Sequence, residues 1–584
     1  MKRDKDSDAG PRRSRLALIV ALVALPVLTS CLGGDRQGIR ADQGATGLRQ
    51  PTTLRYVSRF EPATLAARVT EAAGTSEYVK RPFNAGLAVI DAQTQPRPAL
   101  AEQLPQLNTD SWGLLPDGTM QTTYRLRAGL TWHDGQPLTA EDFVFAWRVY
   151  RTPSLPFAPQ PQDLIELIEA PDARTVVITW NSLFAQAGAL TFNELDPLPS
   201  HALAEPFRAV QVDNATDSFI NLPFWSQAYI GAGPYRLERR EPGSFVEGVA
   251  FDGYALGRPK IDRVIVRFMG DENTVLTNLL AGELDYTPRL TLRFEHAAVL
   301  RDWMSSGRGS YVIGPDYFIK VQHQFRPEYQ TEPMILDARV RRAMSHSVDR
   351  QGLVDGIFDG QVEVAHTWAF RSTPYFAEVD RTITKYPYDP RRTEQLLQEV
   401  GMRRGSDGMF ANPDGRPFRP DFVVRAGTQH ERGQAIMVDT WRRSGLDIQP
   451  SVLPNITVPR VQRYTWPNLQ AQTSDVEEYE QWATPQVGTE ANRWTGSNRA
   501  GYSNPEFDRI YEMFRRTLDR TEAGRISVHA LKFLSDELPG YVVYESPALI
   551  AFSGAVRGIE FDFPGPPETT FIWNLHELEI PRQG

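Results

Sequence analysis

The chain has 584 residues, of which 41% are hydrophobic and 23% are charged, and its formal net charge is −9. This length predicts more than one domain, and the acidic balance argues against nucleic-acid binding, because phosphate contacts need a basic surface. Cys31 is the single cysteine. A disulfide framework and a cysteine-based zinc site are therefore excluded.

The amino terminus has the pattern of an export signal. A basic start is followed by the apolar run Leu16 to Leu28, which is shorter than the roughly 20 apolar residues that span a bilayer. The segment Leu28-Thr29-Ser30-Cys31 resembles a bacterial lipobox, which implies lipidation of Cys31. We predict a lipoprotein signal peptide over 1–30 and a flexible tether over 31–50, where large apolar side chains are few.

Helix and strand patterns alternate along the rest of the chain, which predicts a mixed α/β fold. Thr139 is the expected N-cap of a helix through Phe143 to Trp147, and the β-branched run Arg174 to Trp180 predicts a strand. Further predicted elements, in chain order, are a strand over Ile261 to Met269, a helix from Asn273 to Gly282, helices capped by Asp337 and Asp349, and helices that open at Asp389-Pro390 and Asn504-Pro505.

Seven short blocks occur in one order along the chain. They are Arg97 to Glu102, Tyr124 to Phe143, Gly231 to Tyr235, Gly257 to Asp262, Leu279 to Asp285, Asp337 to Ala343 and Tyr502 to Asp508. In this order the blocks resemble bacterial extracellular solute-binding proteins of family 5, the oligopeptide, dipeptide and nickel class. The resemblance covers roughly residues 52 to 576.

The resemblance implies an α/β fold of the periplasmic-binding-protein type II class. Two discontinuous lobes, joined by a hinge, would enclose a cleft, and a small extra domain would be added to them. The expected boundaries are 51–86, 222–308 and 538–584 for lobe I, 87–221 for the extra domain, and 309–537 for lobe II.

The same resemblance implies a solute-binding lipoprotein of an ABC importer that captures peptides. An oligosaccharide, a nickel chelate or an opine remains an alternative ligand. In peptide-binding members an acidic residue meets the ligand amine in a loop of the second lobe, and Tyr464 to Trp494 occupies that place. The candidate ligand contacts are Asp475, Trp466, Trp482, Trp494 and Arg493. Arg499, like Arg493, is a candidate for pairing with a ligand carboxylate.

Enzyme signatures are absent from the sequence. It contains no His-Glu-x-x-His zinc helix, no Gly-x-Ser-x-Gly elbow and no Walker loop, so a membrane-anchored hydrolase is the weaker alternative. His133 lies in Trp132-His133-Asp134-Gly135, which we interpret as a structural turn. The acidic run Asp475 to Glu480 is interpreted as a solvated face or a loop at the cleft mouth.

The expected partners follow from the resemblance. They are a peptide or similar small polar solute, an ABC permease and ATPase complex, and the membrane through the N-terminal lipid. We expect no cofactor, no bound metal and no nucleic acid. The protein is expected to be an extracytoplasmic monomer, lipid-anchored to the membrane.

Overall fold

The computed structural model describes residues 50–68, 77–157, 161–453, 460–474, 477–492, 494, 496–560 and 573–581. The first strands are β1 (Thr53–Ser58), β2 (Ala88–Ile90), β3 (Pro96–Pro98), β4 (Trp112–Leu114), β5 (Met120–Arg125), β6 (Ile165–Asp172) and β7 (Thr175–Trp180). Next come β8 (Tyr235–Glu241), β9 (Phe245–Ala250), β10 (Arg263–Phe268), β11 (Tyr286–Thr287) and β12 (Gly309–His323). The last are β13 (Arg403–Arg404), β14 (Phe410–Ala411), β15 (Asp421–Arg425), β16 (Gln449–Leu453), β17 (Leu469–Ser474) and β18 (Gly540–Ser553).

The helices alternate with these strands. The first are α1 (Glu77–Lys80), α2 (Ala140–Tyr150), α3 (Ser200–Asp213), α4 (Thr216–Ile220), α5 (Glu272–Ala281) and α6 (Ala297–Ser305). The others are α7 (Ala338–His346), α8 (Arg350–Phe358), α9 (Phe376–Thr382), α10 (Pro390–Glu399), α11 (Thr428–Arg443), α12 (Pro505–Arg516) and α13 (Arg520–Glu537).

The predicted helix starts are confirmed with one correction. Thr139 caps α2, and the other predicted caps accept backbone N–H groups of the first turn in α7, α8, α10 and α12. The predicted start at Asn273 is wrong, because α5 begins at Glu272 and its N-cap is Asp271. The Asp271 carboxylate accepts the Thr274 N–H at 2.7 Å, and a carboxylate cap also suits the positive end of the helix.

One ten-stranded sheet runs through the molecule in the order β16-β15-β17-β12-β18-β11-β1-β10-β9-β8. Its two long central strands, β12 and β18, pair antiparallel from Gly309 opposite Ser553 to Gln322 opposite Gly540. The pairing is interrupted where Pro315 faces Pro547, since proline has no N–H to donate. We call this place the crossing, because β12 and β18 pass there from one lobe to the other.

The parallel strands of both lobes point at the crossing. In the first lobe β1 is parallel to β10 and β11, and β11 ends with Thr287 opposite Ala551 of β18. In the second lobe β15 is parallel to β16 and β17, and β17 ends with Ser474 opposite Phe318 of β12. The carboxyl ends of both sets therefore face each other across the crossing.

A separate antiparallel sheet, β4-β5-β7-β6, lies within the predicted extra domain. Its buried face packs against Phe143 and Trp147 of α2 and encloses Trp132 and Trp180. The other side of α2 contributes Val149 to the core that contains β1, β8 and β10. Helix α2 thus joins this small sheet to the first lobe.

The turn at His133 is structural, as the sequence predicts. The Gly231 N–H donates to Nδ1 of His133 at 3.2 Å, so Nε2 donates to the Gly233 carbonyl at 3.0 Å. Burial lowers the pKa of His133 to about 4, which keeps the ring neutral. A Cβ added to Gly231 would lie 2.0 Å from the Phe83 carbonyl oxygen, which explains the glycine at this close approach.

A buried histidine on β12 makes stability depend on pH. His323 is 0% exposed and its Nδ1 donates to the Pro539 carbonyl at 3.0 Å. Burial, and then Arg341, lower its pKa to about 3. Below a pH of about 6.5 the His323 ring is protonated in the unfolded chain but stays neutral in the folded chain. The free energy of unfolding therefore falls as the pH drops from there toward 3.

We expect this histidine to cost about 2 kcal/mol of unfolding free energy between pH 8 and pH 5. Denaturant titrations at both pH values would measure the loss in the wild type and in His323→Asn, which keeps a donor for the Pro539 carbonyl. The variant should lose about 2 kcal/mol less than the wild type. An equal loss in the two proteins would contradict the assignment.

Candidate functional site

The candidate site is the cleft at the crossing. In open parallel sheets, ligands bind outside the carboxyl ends of the strands, and the carboxyl ends of both lobes meet here. The residues that follow β1 and precede α6 line one side. The end of β15, the start of α11 and the segment after β17 line the other side.

Two arginines of the first lobe share one carboxylate. Arg59, directly after β1, and Arg293 both approach Oε1 of Glu272 at 2.7 Å. Their side chains and that of Glu272 are only 12% to 14% exposed. Arg293 also donates to the Tyr317 hydroxyl at 3.3 Å, which ties the cluster to the crossing. The cluster holds two positive charges against one negative charge.

The second lobe presents Arg425 and His430 to the same place. Arg425 is the last residue of β15, and His430 lies in the first turn of α11. Both are half-buried. Burial, and then Arg499, lower the pKa of Arg425 to about 10. Burial, and then Arg293, Arg425 and Arg59, lower the pKa of His430 to about 3. The second lobe therefore adds a cationic Arg425 and a neutral His430 at the carboxyl end of its sheet.

Carboxylates form the opposite side of the second-lobe face. Glu478, in the segment after β17, accepts a hydrogen bond from the Ser474 hydroxyl at 3.2 Å. Burial, and then Glu478, raise the pKa of Glu480 to about 7. Burial, and then Glu363, likewise raise the pKa of Glu545 on β18 to about 7. The carboxylates of this run are half-buried, so its described part fits the second interpretation, a loop at the cleft mouth, better than a solvated face.

Two buried polar side chains lie on neighbouring strands of the second-lobe sheet. Gln472 of β17 lies opposite Lys320 of β12 and accepts a hydrogen bond from Arg499 at 2.8 Å. Lys320 is 0% exposed, donates to Gln481 and lies 4.7 Å from the centroid of the Trp482 ring. Both side chains are buried and held by contacts within the second lobe.

Three of the five predicted ligand contacts, Trp466, Trp482 and Trp494, lie among the described residues. Asp475 and Arg493 lie outside the described residues. Trp466 and Trp482 are 3% and 2% exposed, and the Trp466 indole donates to the Arg463 carbonyl at 3.1 Å. Trp494 is half-buried and its ring lies 5.4 Å from that of Tyr464. Whether any of these residues touches a ligand stays a prediction.

The cationic residues of the cleft were not predicted from the sequence. For Arg425 the sequence did contain a usable signal. This residue ends a strand rich in β-branched residues, and Gly427 and a helix follow it. Such strand-to-helix turns are where α/β proteins bind ligands. Arg59 and Arg293 carried none, because 234 positions separate them in the chain.

The described residues contain neither a metal-binding cluster nor a membrane-spanning helix. In the ranges given above, no group of three or more His, Cys, Asp or Glu side chains is arranged to hold a metal ion. Among the same residues, no helix combines the length and the apolar character that a membrane span requires.

Comparison with known proteins gives sequence relatives. The family model for bacterial extracellular solute-binding proteins, family 5, matches residues 95–485. A Brucella ovis protein named for peptide binding in an ABC transporter is 29% identical over 297 residues. That alignment covers 50% of this chain and 51% of the relative, so the chain spans about half the length of this curated relative.

Solved structures show the same fold. The oligopeptide-binding protein from Thermus thermophilus, complexed with a pentapeptide, superposes with a TM-score of 0.75 at 20% identity, over 90% of this chain and 96% of the other. NikZ from Campylobacter jejuni, in complex with Ni(L-His), gives 0.74 at 20% identity over 90% and 99%. The predicted two-lobed fold is thereby confirmed. Since the family model matches well over half of its length, this chain belongs to the bacterial extracellular solute-binding proteins of family 5.

Proposed function

We propose that this protein is the extracytoplasmic solute-binding lipoprotein of an ABC importer and that it captures peptides in the cleft at the crossing. One observation carries the choice of peptides. The cleft has a cationic side, with Arg59, Arg293 and Arg425, and a carboxylate side, with Glu478 and Glu545.

This charge arrangement fits an extended zwitterion. A peptide has an ammonium group at one end and a carboxylate at the other, and its backbone offers an N–H and a C=O at each residue. In peptide recognition of this kind, main-chain bonds give affinity and side-chain pockets give selectivity.

A non-peptide solute is the second candidate. The arginines would also suit a chelate rich in carboxylates, and one protein of similar fold holds Ni(L-His). Such a ligand would make no use of the carboxylate side, which is why we favour a peptide. Catalysis forms no part of the proposal, as the family is one of binding proteins.

The remaining parts of the proposal come from the sequence pattern. Cys31 would carry the lipid after removal of 1–30, with 31–50 as the tether; all three lie outside the described residues, apart from Gln50. The monomeric protein would release its peptide to a permease and ATPase complex. The domain boundaries given above remain part of this proposal, and Asp475 stays the first candidate for the ligand amine.

Native mass spectrometry of the soluble chain that starts at Leu32 tests this function. We expect purified protein to carry a mixture of short peptides, which denaturation releases for identification. A single non-peptide species, or no bound species together with no thermal shift from a peptide library, would exclude peptide capture. Sugars and metal chelates would then be screened on the same protein.

A further inference from the structure

A small cavity lies inside the second lobe, between the start of α8, the end of α13 and the first residues of β18. Its free volume is about 10 Å³, which is room for one water-sized guest. Tyr541, on its wall, lies six positions before Pro547 along β18, so the cavity is separate from the cleft at the crossing.

A buried arginine forms part of the cavity wall. Arg350 is 5% exposed, and within the described part of the chain it forms no ion pair. Its Nε donates to the Val542 carbonyl at 3.1 Å. Its Nη1 donates to the carbonyls of Ser345 and Tyr386 at 3.2 and 3.1 Å, and its Nη2 donates to the Ser345 hydroxyl at 3.0 Å. A guanidinium group has five N–H donors, so one donor on Nη2 is left over.

The charge of Arg350 is also left uncompensated. Burial lowers the pKa of this guanidinium to about 10, so the group is still cationic at neutral pH. A positive charge that is withdrawn from water without a counter-charge is unfavourable. Among the residues that the structure places on the cavity wall, none is an aspartate or a glutamate.

Three further side chains on the wall have donors without a partner. Thr367, Trp368 and Tyr541 are 5%, 6% and 3% exposed. The Thr367 hydroxyl, the Trp368 indole N–H and the Tyr541 hydroxyl find no hydrogen-bond partner among the described residues. An indole N–H can only donate, and a buried donor that stays unpaired is costly.

The other hydroxyl groups of the wall have already given up their protons. Thr384 donates to the Asp536 carboxylate at 2.6 Å, and Ser535 donates to the Lys532 carbonyl at 2.7 Å. The Tyr386 hydroxyl donates to the Ser535 carbonyl at 2.9 Å. The surplus on the wall therefore consists of donors, together with one positive charge.

We infer that this cavity is a binding site for one small monovalent anion of the size of a halide, with chloride as its natural occupant. A water molecule has two lone pairs, so it can accept from two of the four free donors. A halide accepts from all of them and supplies the charge that Arg350 lacks. A chloride ion is only slightly larger than a water molecule, so a small displacement of the wall admits it.

The anion has a structural role, because it links three parts of the second lobe. Arg350 opens α8, Tyr541 lies on β18, and Thr367 and Trp368 belong to the segment that follows α8. The Trp368 ring lies 5.8 Å from that of Trp482, so the same segment packs against the residues that follow β17. Loss of the ion should therefore loosen this segment and lower the stability of the lobe.

Bromide is the probe for the crystal, because it replaces chloride and its anomalous scattering identifies it. Crystals of the chain that starts at Leu32, soaked in bromide, should give an anomalous peak inside the cavity, in contact with Thr367 and Trp368. An empty cavity would overturn the inference. Density without an anomalous signal, as a water molecule gives, would overturn it too, and so would bromide found only on the surface.

Two substitutions remove donors while largely keeping the shape of the wall. Thr367→Val replaces the hydroxyl by a methyl group, and Trp368→Phe removes the indole N–H. The matched control is Trp147→Phe, since the Trp147 indole is also buried without a partner among the described residues but belongs to the core of the small sheet. If a cavity variant fails to fold, the bromide peak of the wild type still decides the question.

Thermal unfolding in sodium chloride is compared with unfolding in sodium gluconate at equal ionic strength, because gluconate is too large for the cavity. Chloride should raise the Tm of the wild type and of the control by about 1–2 °C for each tenfold increase in concentration once the site is occupied. The two cavity variants should show less than half of this rise. An equal rise in all four proteins would overturn the assignment of Thr367 and Trp368, and no rise in the wild type would overturn the site.

Discussion

Replacement of Asp316 by alanine is expected to lower the free energy of unfolding by about 3–5 kcal/mol. Asp316 lies at the crossing, where the register of β12 and β18 shifts, and its side chain is 1% exposed. Arg289, which follows β11 and is 4% exposed, approaches it at 2.7 Å. Removing the carboxylate takes this counter-charge away from a buried guanidinium, which is the costly way to break such a pair.

Denaturant titration measures the effect, with Asp439→Ala as the matched control. Asp439 pairs with Arg443, but both side chains are more than half exposed, so its loss should cost less than about 1 kcal/mol. Burial raises the pKa of Asp316, although the nearby Arg289 lowers it. Removing the two charges from water therefore costs the folded state free energy, which an apolar pair would not have to overcome. The double variant Arg289→Met/Asp316→Leu should therefore recover most of the loss.

A cost for Asp316→Ala no larger than that of the control would show that the pair contributes nothing to the crossing. A double variant as unstable as the single one would show that the loss comes from the shape of the crossing and not from an unpaired charge. Because the pair connects the end of a first-lobe strand to the crossing, both outcomes bear on how firmly the lobes are joined.

Local features of the fold were predictable from the sequence because their physics is local. An N-cap needs one side chain and the N–H groups two or three positions later, so Asp389 and Asn504 identified their helices. The error at Asn273 has the same origin. Asp271 and Asn273 both carry capping side chains, and only the geometry of the turn selects between them.

The site was harder to predict because it is assembled by register. Arg59 meets Arg293 only because β1 lies beside β11 and the carboxyl ends of both strands point the same way. The tryptophans were conspicuous in the sequence, but their role was ambiguous, since Trp occurs both in packed cores and in ligand pockets. Composition cannot tell these uses apart, whereas the 2% exposure of Trp482 favours packing.

Trp482→Ala should accordingly act on stability before it acts on binding, with a loss of about 3–5 kcal/mol in unfolding free energy. The ring packs 5.8 Å from that of Trp368 and covers Lys320 at 4.7 Å. Truncation leaves a cavity in the core of the second lobe and removes the aromatic face over a buried ammonium group. Unfolding by denaturant measures this loss, and the half-buried Trp494→Ala, expected to cost clearly less, is the comparison.

Trp482→Phe separates packing from ligand contact. Phenylalanine keeps an aromatic face over Lys320 and fills most of the cavity, so this variant should be more stable than Trp482→Ala and should bind peptide within about threefold of the wild type. A tenfold weaker affinity at wild-type stability would instead make Trp482 a ligand contact, as its place in the Tyr464 to Trp494 section suggests. The indole would then have to become accessible when the cleft opens, and the segment Tyr479–Trp482 would be a moving part of the site rather than its fixed wall.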